Sequence, residues 1–273
     1  MSENPNIYID IKAISDFFIK NIKVFSLVFL LATFSSFFYS YIQPEKFTSY
    51  LIIGPASEDS SITNSLDKIG NIFPFSGNLS KSDDFEKLND FFITLESLQI
   101  MLETFDPRPK IFSSNFSQES GSFDDIIYLD QRLLMNNLMG LVEINKLRNT
   151  GYLEISIQSE DTNFSENLLF SIYKSNEKLA KKKKKDVAEK KLNWLNDQIQ
   201  NSSYVLEKEN LSTLALKEMN LLSLIDADVP IVSQIITGPY SSINPTSPNY
   251  LLNMMVFLIL SFVSTIIFLR IKK

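Results

Sequence analysis

Residues 244–273 read NPTSPNYLLNMMVFLILSFVSTIIFLRIKK. Pro245 and Pro248 stand before an uncharged run from Tyr250 to Leu269, and Arg270, Lys272 and Lys273 follow it. Proline excludes helix from the approach, and about 20 apolar residues rising about 1.5 Å each cross a hydrocarbon core of about 30 Å. Asn253 is the one amide side chain in the run, near an end where water is within reach. A second such run, VFSLVFLLATFSSFFYSYI, occupies residues 24–42. A cleaved leader competes with a span there, but it would have a shorter apolar core and small residues at its end, whereas Tyr39, Tyr41 and Ile42 close this one. Two membrane spans, 24–42 and 250–269, therefore bracket the chain.

Their flanks set the expected orientation. Lys12, Lys20 and Lys23 precede the first span and Arg270, Lys272 and Lys273 follow the second, while only Lys46 lies close on the inner flanks. The positive-inside rule predicts residues 1–23 and the tail 270–273 in the cytoplasm, with 43–249 on the periplasmic side of the inner membrane. So short a cytoplasmic share leaves no room for a kinase or nucleotide-binding domain.

Composition excludes much chemistry. The sequence is 44% hydrophobic with net charge -6, and it has no Cys and no His. Thiolate nucleophiles, Cys or His zinc sites and imidazole-dependent triads are absent. Only 7 Gly occur, and no phosphate-binding glycine loop is found. No cofactor, no metal site and no nucleic-acid partner are expected, and the chain reads as a non-enzyme.

Within 43–249, alternation predicts a strand over 47–53, closed by Gly54 and Pro55. Residues 56–81 have loop composition. Ser82 is placed to cap a helix through 105, with Asp83 and Asp84 in its first turn and DPRPK as its stop. A second helix is predicted over about 123–140, opened by Asp124 and Asp125. YLEISIQSED alternates strictly and predicts a strand from Tyr152. From Tyr152 to Val229 there is no Gly or Pro, which permits a helical arm over about 163–222, with Asn163 and Glu166 as a capping box. Leu168, Ile172, Leu179, Val187, Trp194, Leu195, Ile199 and Leu206 recur at coiled-coil-like spacing. Unbroken, it would reach on the order of 90 Å; the alternative is a hairpin reversing at NSS, residues 201–203. PIVSQIITG predicts a further strand before the last span. The fold class is thus an α+β membrane protein, with two transmembrane helices flanking an α/β base that carries a long helical arm.

Lys181, Lys182, Lys183, Lys184 and Lys185 form the densest charge in the chain. Five consecutive lysines point all around a helix, so they either solvate one turn beside Glu177, Asp186 and Glu189 or attract an anionic glycan or lipid headgroup. The Asp pairs at 83–84 and 124–125 sit where helices start, which explains them without catalysis or a metal. Trp194 falls on the apolar stripe and is expected to pack there rather than to serve as a sugar platform.

Taken in order, Ile9, Asp10 and Ile11 before the first span, Pro44, Lys46, Phe47 and Thr48 after it, and Pro245 and Pro248 before the last span resemble the chain-length determinant (Wzz) family of polysaccharide co-polymerases. The resemblance implies an inner-membrane protein with an α/β base, a long helical arm and ring-like homo-oligomers that set the modal length of O antigen or a related lipopolysaccharide glycan made by a membrane polymerase. The implied partners are other copies of the chain, the membrane, the polymerase and the growing glycan, with Pro44, Pro245 and Pro248 as candidate motif residues. An adaptor for capsule or exopolysaccharide export, acting with a separate tyrosine kinase, is the alternative; a membrane-tethered sensor is the third reading, disfavoured by the short cytoplasmic segments.

Overall fold

The computed structural model of the chain describes residues 19–56, 85, 93–118, 120–148 and 150–271. In chain order the elements are α1 (Ile22–Ile42), β1 (Phe47–Pro55), α2 (Leu95–Leu102), a short α3 (Arg108–Ile111), β2 (Phe116–Ser117), β3 (Ser122–Phe123), α4 (Gln131–Leu141), β4 (Val142–Lys146), β5 (Leu153–Ser159), α5 (Thr162–Asn201), α6 (Val205–Asp226), β6 (Ser233–Ser241) and α7 (Tyr250–Ile271). They divide into two units, one of residues 1–47 with 243–273 and one of residues 48–242.

The first unit pairs α1 with α7, the two helices long and apolar enough to cross a membrane. The pair is antiparallel, because Phe25 meets Phe262 while Phe37 meets Tyr250. Most large side chains of both helices face outward, as a lipid environment allows, and the buried seam of α1 is made of Ala32, Ser36 and Ser40 at every fourth position. Small residues let backbones approach where no hydrophobic drive exists between helices. Asn253, near the end of its span, finds a partner within the pair and donates its side-chain N–H to Ser40 Oγ at 2.9 Å.

In the second unit, a four-stranded sheet has the order β4-β5-β1-β6. β4 and β5 form an antiparallel hairpin, and β1 pairs antiparallel with the distant β6 in register Ser49 with Ser241, with irregularities near Ile52. Leu51, Ile53, Leu153, Ile155 and Ile157 of the sheet are buried with Leu98 and Met101 of α2, Leu134 and Leu138 of α4, and Leu168, Leu169 and Ile172 of α5. Each such side chain contributes roughly 1.5–3 kcal/mol when fully buried. The strand expected at 47–53 is β1 and the one expected from Tyr152 is β5.

Several boundaries depart from the sequence reading. The helix expected over 82–105 has most of its first part, with Asp83 and Asp84, outside the described residues. Its described end is a separate helix, because Thr94 is extended and caps α2 through Ser97. The helix expected from 123 begins at 131: Asp125 caps a 3₁₀ turn at Ile126–Leu129, and Asp130 caps α4 by accepting the Arg132 N–H. The sequence reading also missed β4, since its alternation is short and polar.

α5 starts at Asp161, not at the Asn163–Glu166 box: the Asp161 carboxylate accepts the Phe164 N–H at 3.0 Å. That bond and Lys110 hold its carboxyl below the usual carboxylate range. Over its 40 residues α5 extends about 60 Å. The chain then reverses at residues 202–204, where Ser202 is extended and its hydroxyl bonds Glu207, and α6 returns. The return is antiparallel, since Lys181 pairs with Asp228, Lys185 with Asp226 and Lys191 with Glu218. Ala188, Leu195 and Ala215 are its buried seam. The arm is therefore a hairpin, closed at the end of α6 by Asp228 at φ 57, with the Val229 N–H on the Leu224 carbonyl and the Asp228 N–H on the Ile225 carbonyl. These two bonds satisfy carbonyls that the helix end leaves open.

Candidate functional site

Residues 43–46 follow α1 and residues 242–249 precede α7, and the structure joins these two connectors by their backbones. Lys46 donates its N–H to the Ser247 carbonyl at 2.9 Å, and its own carbonyl accepts the Thr246 N–H at 2.8 Å and the Thr246 hydroxyl at 3.2 Å. The segment from Pro44 to Phe47 and the segment from Pro245 to Pro248, read from the sequence as separate motif pieces, thus form one two-stranded patch. The prolines explain its local form. Proline cannot donate to a ladder and biases its predecessor to extended backbone, so the pairing runs through Lys46, Thr246 and Ser247, between the prolines. Pro44 and Pro245 are exposed, Pro248 is buried, and the Ser247–Pro248 peptide is cis. Asn249 then caps α7, its carboxamide oxygen accepting the Leu252 N–H at 3.1 Å.

The lysine run lies on the part of α5 that faces other elements. Lys181 and Lys185 reach Asp228 and Asp226 after and at the end of α6, and Lys183 reaches Glu96 of α2. Its hydrogen bond to Asp226 raises the affinity of Lys185 for its proton, and the bond from Lys181 lowers the pKa of Asp228. Lys182 is exposed. Any anionic glycan or lipid at this run competes with these intramolecular carboxylates.

Trp194 does not pack on the arm's seam as expected; it is 58% exposed, as are Val187 at 51% and Leu206 at 70%. The seam runs through Ala188 and Leu195, one position on from Val187 and Trp194, so these two lie about 100° around the helix from it. Spacing alone does not separate adjacent stripes.

Polar side chains whose partners the sequence does not announce connect α5 to the edge strand β6 and to Ile231 just before it. Glu166, expected as a cap partner, accepts from the Ser241 hydroxyl at 2.7 Å. Tyr173 donates its hydroxyl to the Ser233 carbonyl at 3.0 Å, and Glu177 accepts the Ile231 N–H at 2.7 Å. Burial and the nearby Glu177 carboxylate push the Tyr173 hydroxyl up to about 12. The available signal was a carboxylate placed among apolar stripe positions, since Glu177 follows Ile172 and Tyr173 on one face.

No curated protein is found to match this chain. Among solved structures the chain is similar to a full-length bacterial polysaccharide co-polymerase, at 13% identity over 97% of both chains and a TM-score of 0.38. It is similar to a fragment of WzzB, the polysaccharide co-polymerase of Salmonella Typhimurium, at 18% identity over 75% of this chain and 100% of that one, with a TM-score of 0.35. A mutant of the Shigella flexneri lipopolysaccharide O-antigen chain-length regulator matches at 13% identity over 74% and 100%, with a TM-score of 0.24. At these scores no residue's role transfers to this chain. The sequence itself matches a family model over residues 7–106, which takes in Ile9–Ile11 and Pro44–Thr48 but not Pro245 and Pro248, and the family is the one those motifs resemble: Wzz, the chain length determinant proteins.

Proposed function

We propose that the protein regulates the length of a surface polysaccharide of O-antigen type, as a homo-oligomeric, non-enzymatic co-polymerase in the inner membrane beside a membrane polymerase. The family match over residues 7–106 carries this reading. The backbone-paired proline connectors support it, because they fix the two spans' approaches as one patch with Pro44 and Pro245 exposed for a partner. Exposed Val187, Trp194 and Leu206 on the arm supply apolar surface suited to association with further copies. Control by geometry needs no nucleophile, which accords with a sequence lacking Cys and His.

Deleting the gene and resolving the surface glycan on a gel tests the proposal. The expected result is a broadened or shifted chain-length distribution, restored by the intact gene. An unchanged distribution rejects it. Replacing Pro245 and Pro248 together with Ala is expected to shift glycan length while membrane insertion is retained; a wild-type profile would leave these prolines as spacers.

A further inference from the structure

Ser49 of β1, Ser241 of β6, and Ser165 and Glu166 in the first turn of α5 form a continuous chain of polar atoms. Ser165 Oγ is 2.5 Å from Ser49 Oγ, Ser49 Oγ is 2.7 Å from Ser241 Oγ, and Ser241 Oγ is 2.7 Å from Glu166 Oε1. Ser49 and Ser165 have no exposed surface. Each serine has one hydroxyl hydrogen, and the carboxylate of Glu166 only accepts. Ser241 therefore donates to Glu166, Ser49 donates to Ser241, and Ser165 donates to Ser49, with the Thr162 and Asp161 carbonyls at 3.0 and 3.2 Å as longer competitors for that last hydrogen. All three hydrogens point one way and end on a carboxylate. Hydrogen bonds in such a series polarise one another, and removing one link leaves buried oxygens short of a partner.

The placement of the chain gives it a role. Ser49 and Ser241 are opposite in the β1–β6 register, and these are the strands by which the polypeptide enters and leaves the unit of residues 48–242. Ser165 and Glu166 stand in the first turn of the helix that builds the arm. The same face of α5 binds the other end of β6 through Tyr173 and Glu177. We infer that this directional hydroxyl chain is a coupling device, which makes β1, β6 and the foot of the arm move as one piece and so passes a displacement of the arm to both strands together. The inference rests on the chain-length reading for its biological consequence, while the coupling itself is measurable without any glycan.

The test uses the full chain in membranes, with Ser49→Ala, Ser241→Ala, Glu166→Ala and the double variant Ser49→Ala with Glu166→Ala. Amide hydrogen exchange is expected to accelerate by roughly tenfold in β1, β6 and the first turn of α5 together for each single variant, and the double variant is expected to add little, as for members of one network. Ser241→Thr, which keeps the hydroxyl, should restore protection. Acceleration confined to the substituted element, or fully additive effects, overturns the coupling. Glu166 is only partly buried, so its variant keeps the test decisive if Ser49→Ala does not fold. In cells, Ser49→Ala is expected to shift modal glycan length while the amount of the chain in the membrane is unchanged. A wild-type profile, where deletion of the gene does alter it, overturns the transmitted effect and leaves the chain-length reading standing; a profile that deletion leaves unchanged rejects that reading, and the exchange result then decides the coupling alone.

Discussion

Glu177 is 7% exposed and carries a carboxylate with no lysine or arginine in an ion pair to it among the described residues. Its neutralising partners are backbone and hydroxyl donors: the Ile231 N–H at 2.7 Å, with the Ser233 N–H and hydroxyl at 3.4 Å. Glu177→Leu leaves the Ile231 donor buried without an acceptor, and the expected loss is about 2 kcal/mol or more, whereas Glu177→Gln keeps an oxygen and should lose about 1 kcal/mol. Urea unfolding of the detergent-solubilised chain reads both. Tyr173 beside it gives a pH signature. Its raised affinity for the proton means that the folded state keeps the phenol neutral after the unfolded state has begun to ionise. The resulting stability is complete below the ordinary tyrosine pKa of about 10 and is lost as pH rises toward about 12. Wild type should therefore lose more stability between pH 9 and 12 than Tyr173→Phe does, and parallel losses would refute the assignment. Neither residue was legible as a site beforehand, because a carboxylate or tyrosine on a helix stripe declares its partner only when β6 is laid beside it.

At the scale of elements, what was legible depended on how local the determining interactions are. β5 was read correctly because Leu153, Ile155 and Ile157 bury one face while the intervening residues stay more polar, a period written in seven residues. For the arm, spacing leaves an unbroken helix and a hairpin reversing at 201–203 both open; the reversal falls at 202–204, where the Ser202 hydroxyl oxygen accepts the Tyr204 N–H. The true cap, Asp161, was passed over for Asn163 because both types cap and only the Phe164 N–H distinguishes them. The seam of the hairpin was misread at Val187 and Trp194 for want of knowing which stripe α6 would cover. That seam supplies its own test. Ala188 has no exposed surface, and the pairs Lys185–Asp226 and Lys191–Glu218 on either side of it hold α6 against this part of α5. Ala188→Leu should force the two helices apart at a cost of about 1–3 kcal/mol, seen as faster exchange of α6 amides, while Val187→Leu on the exposed flank should leave exchange unchanged.

At the scale of the whole molecule, the antiparallel pairing of α1 with α7 has a topological consequence that follows from geometry alone. If both helices cross one bilayer, residues 19–21 and the end of α7 at residue 271 lie on the same side, and residues 48–242 enter and leave from the other. Charge then selects which side is which: Lys20, Lys23 and Arg270 flank the outer ends of the pair, and Lys46 is the single basic residue of the inner connectors. Basic residues near span ends are retained on the cytoplasmic face, so the body of the protein is expected outside it. The absence of cysteine makes this directly measurable, since any introduced thiol is unique. Thr150→Cys, at an exposed turn between β4 and β5, should react in spheroplasts with a membrane-impermeant maleimide, and Asn6→Cys should react only after the membrane is opened. Reaction of both in intact spheroplasts would break the two-span reading of α1, and the inverted pattern would place residues 48–242 in the cytoplasm and overturn the charge argument.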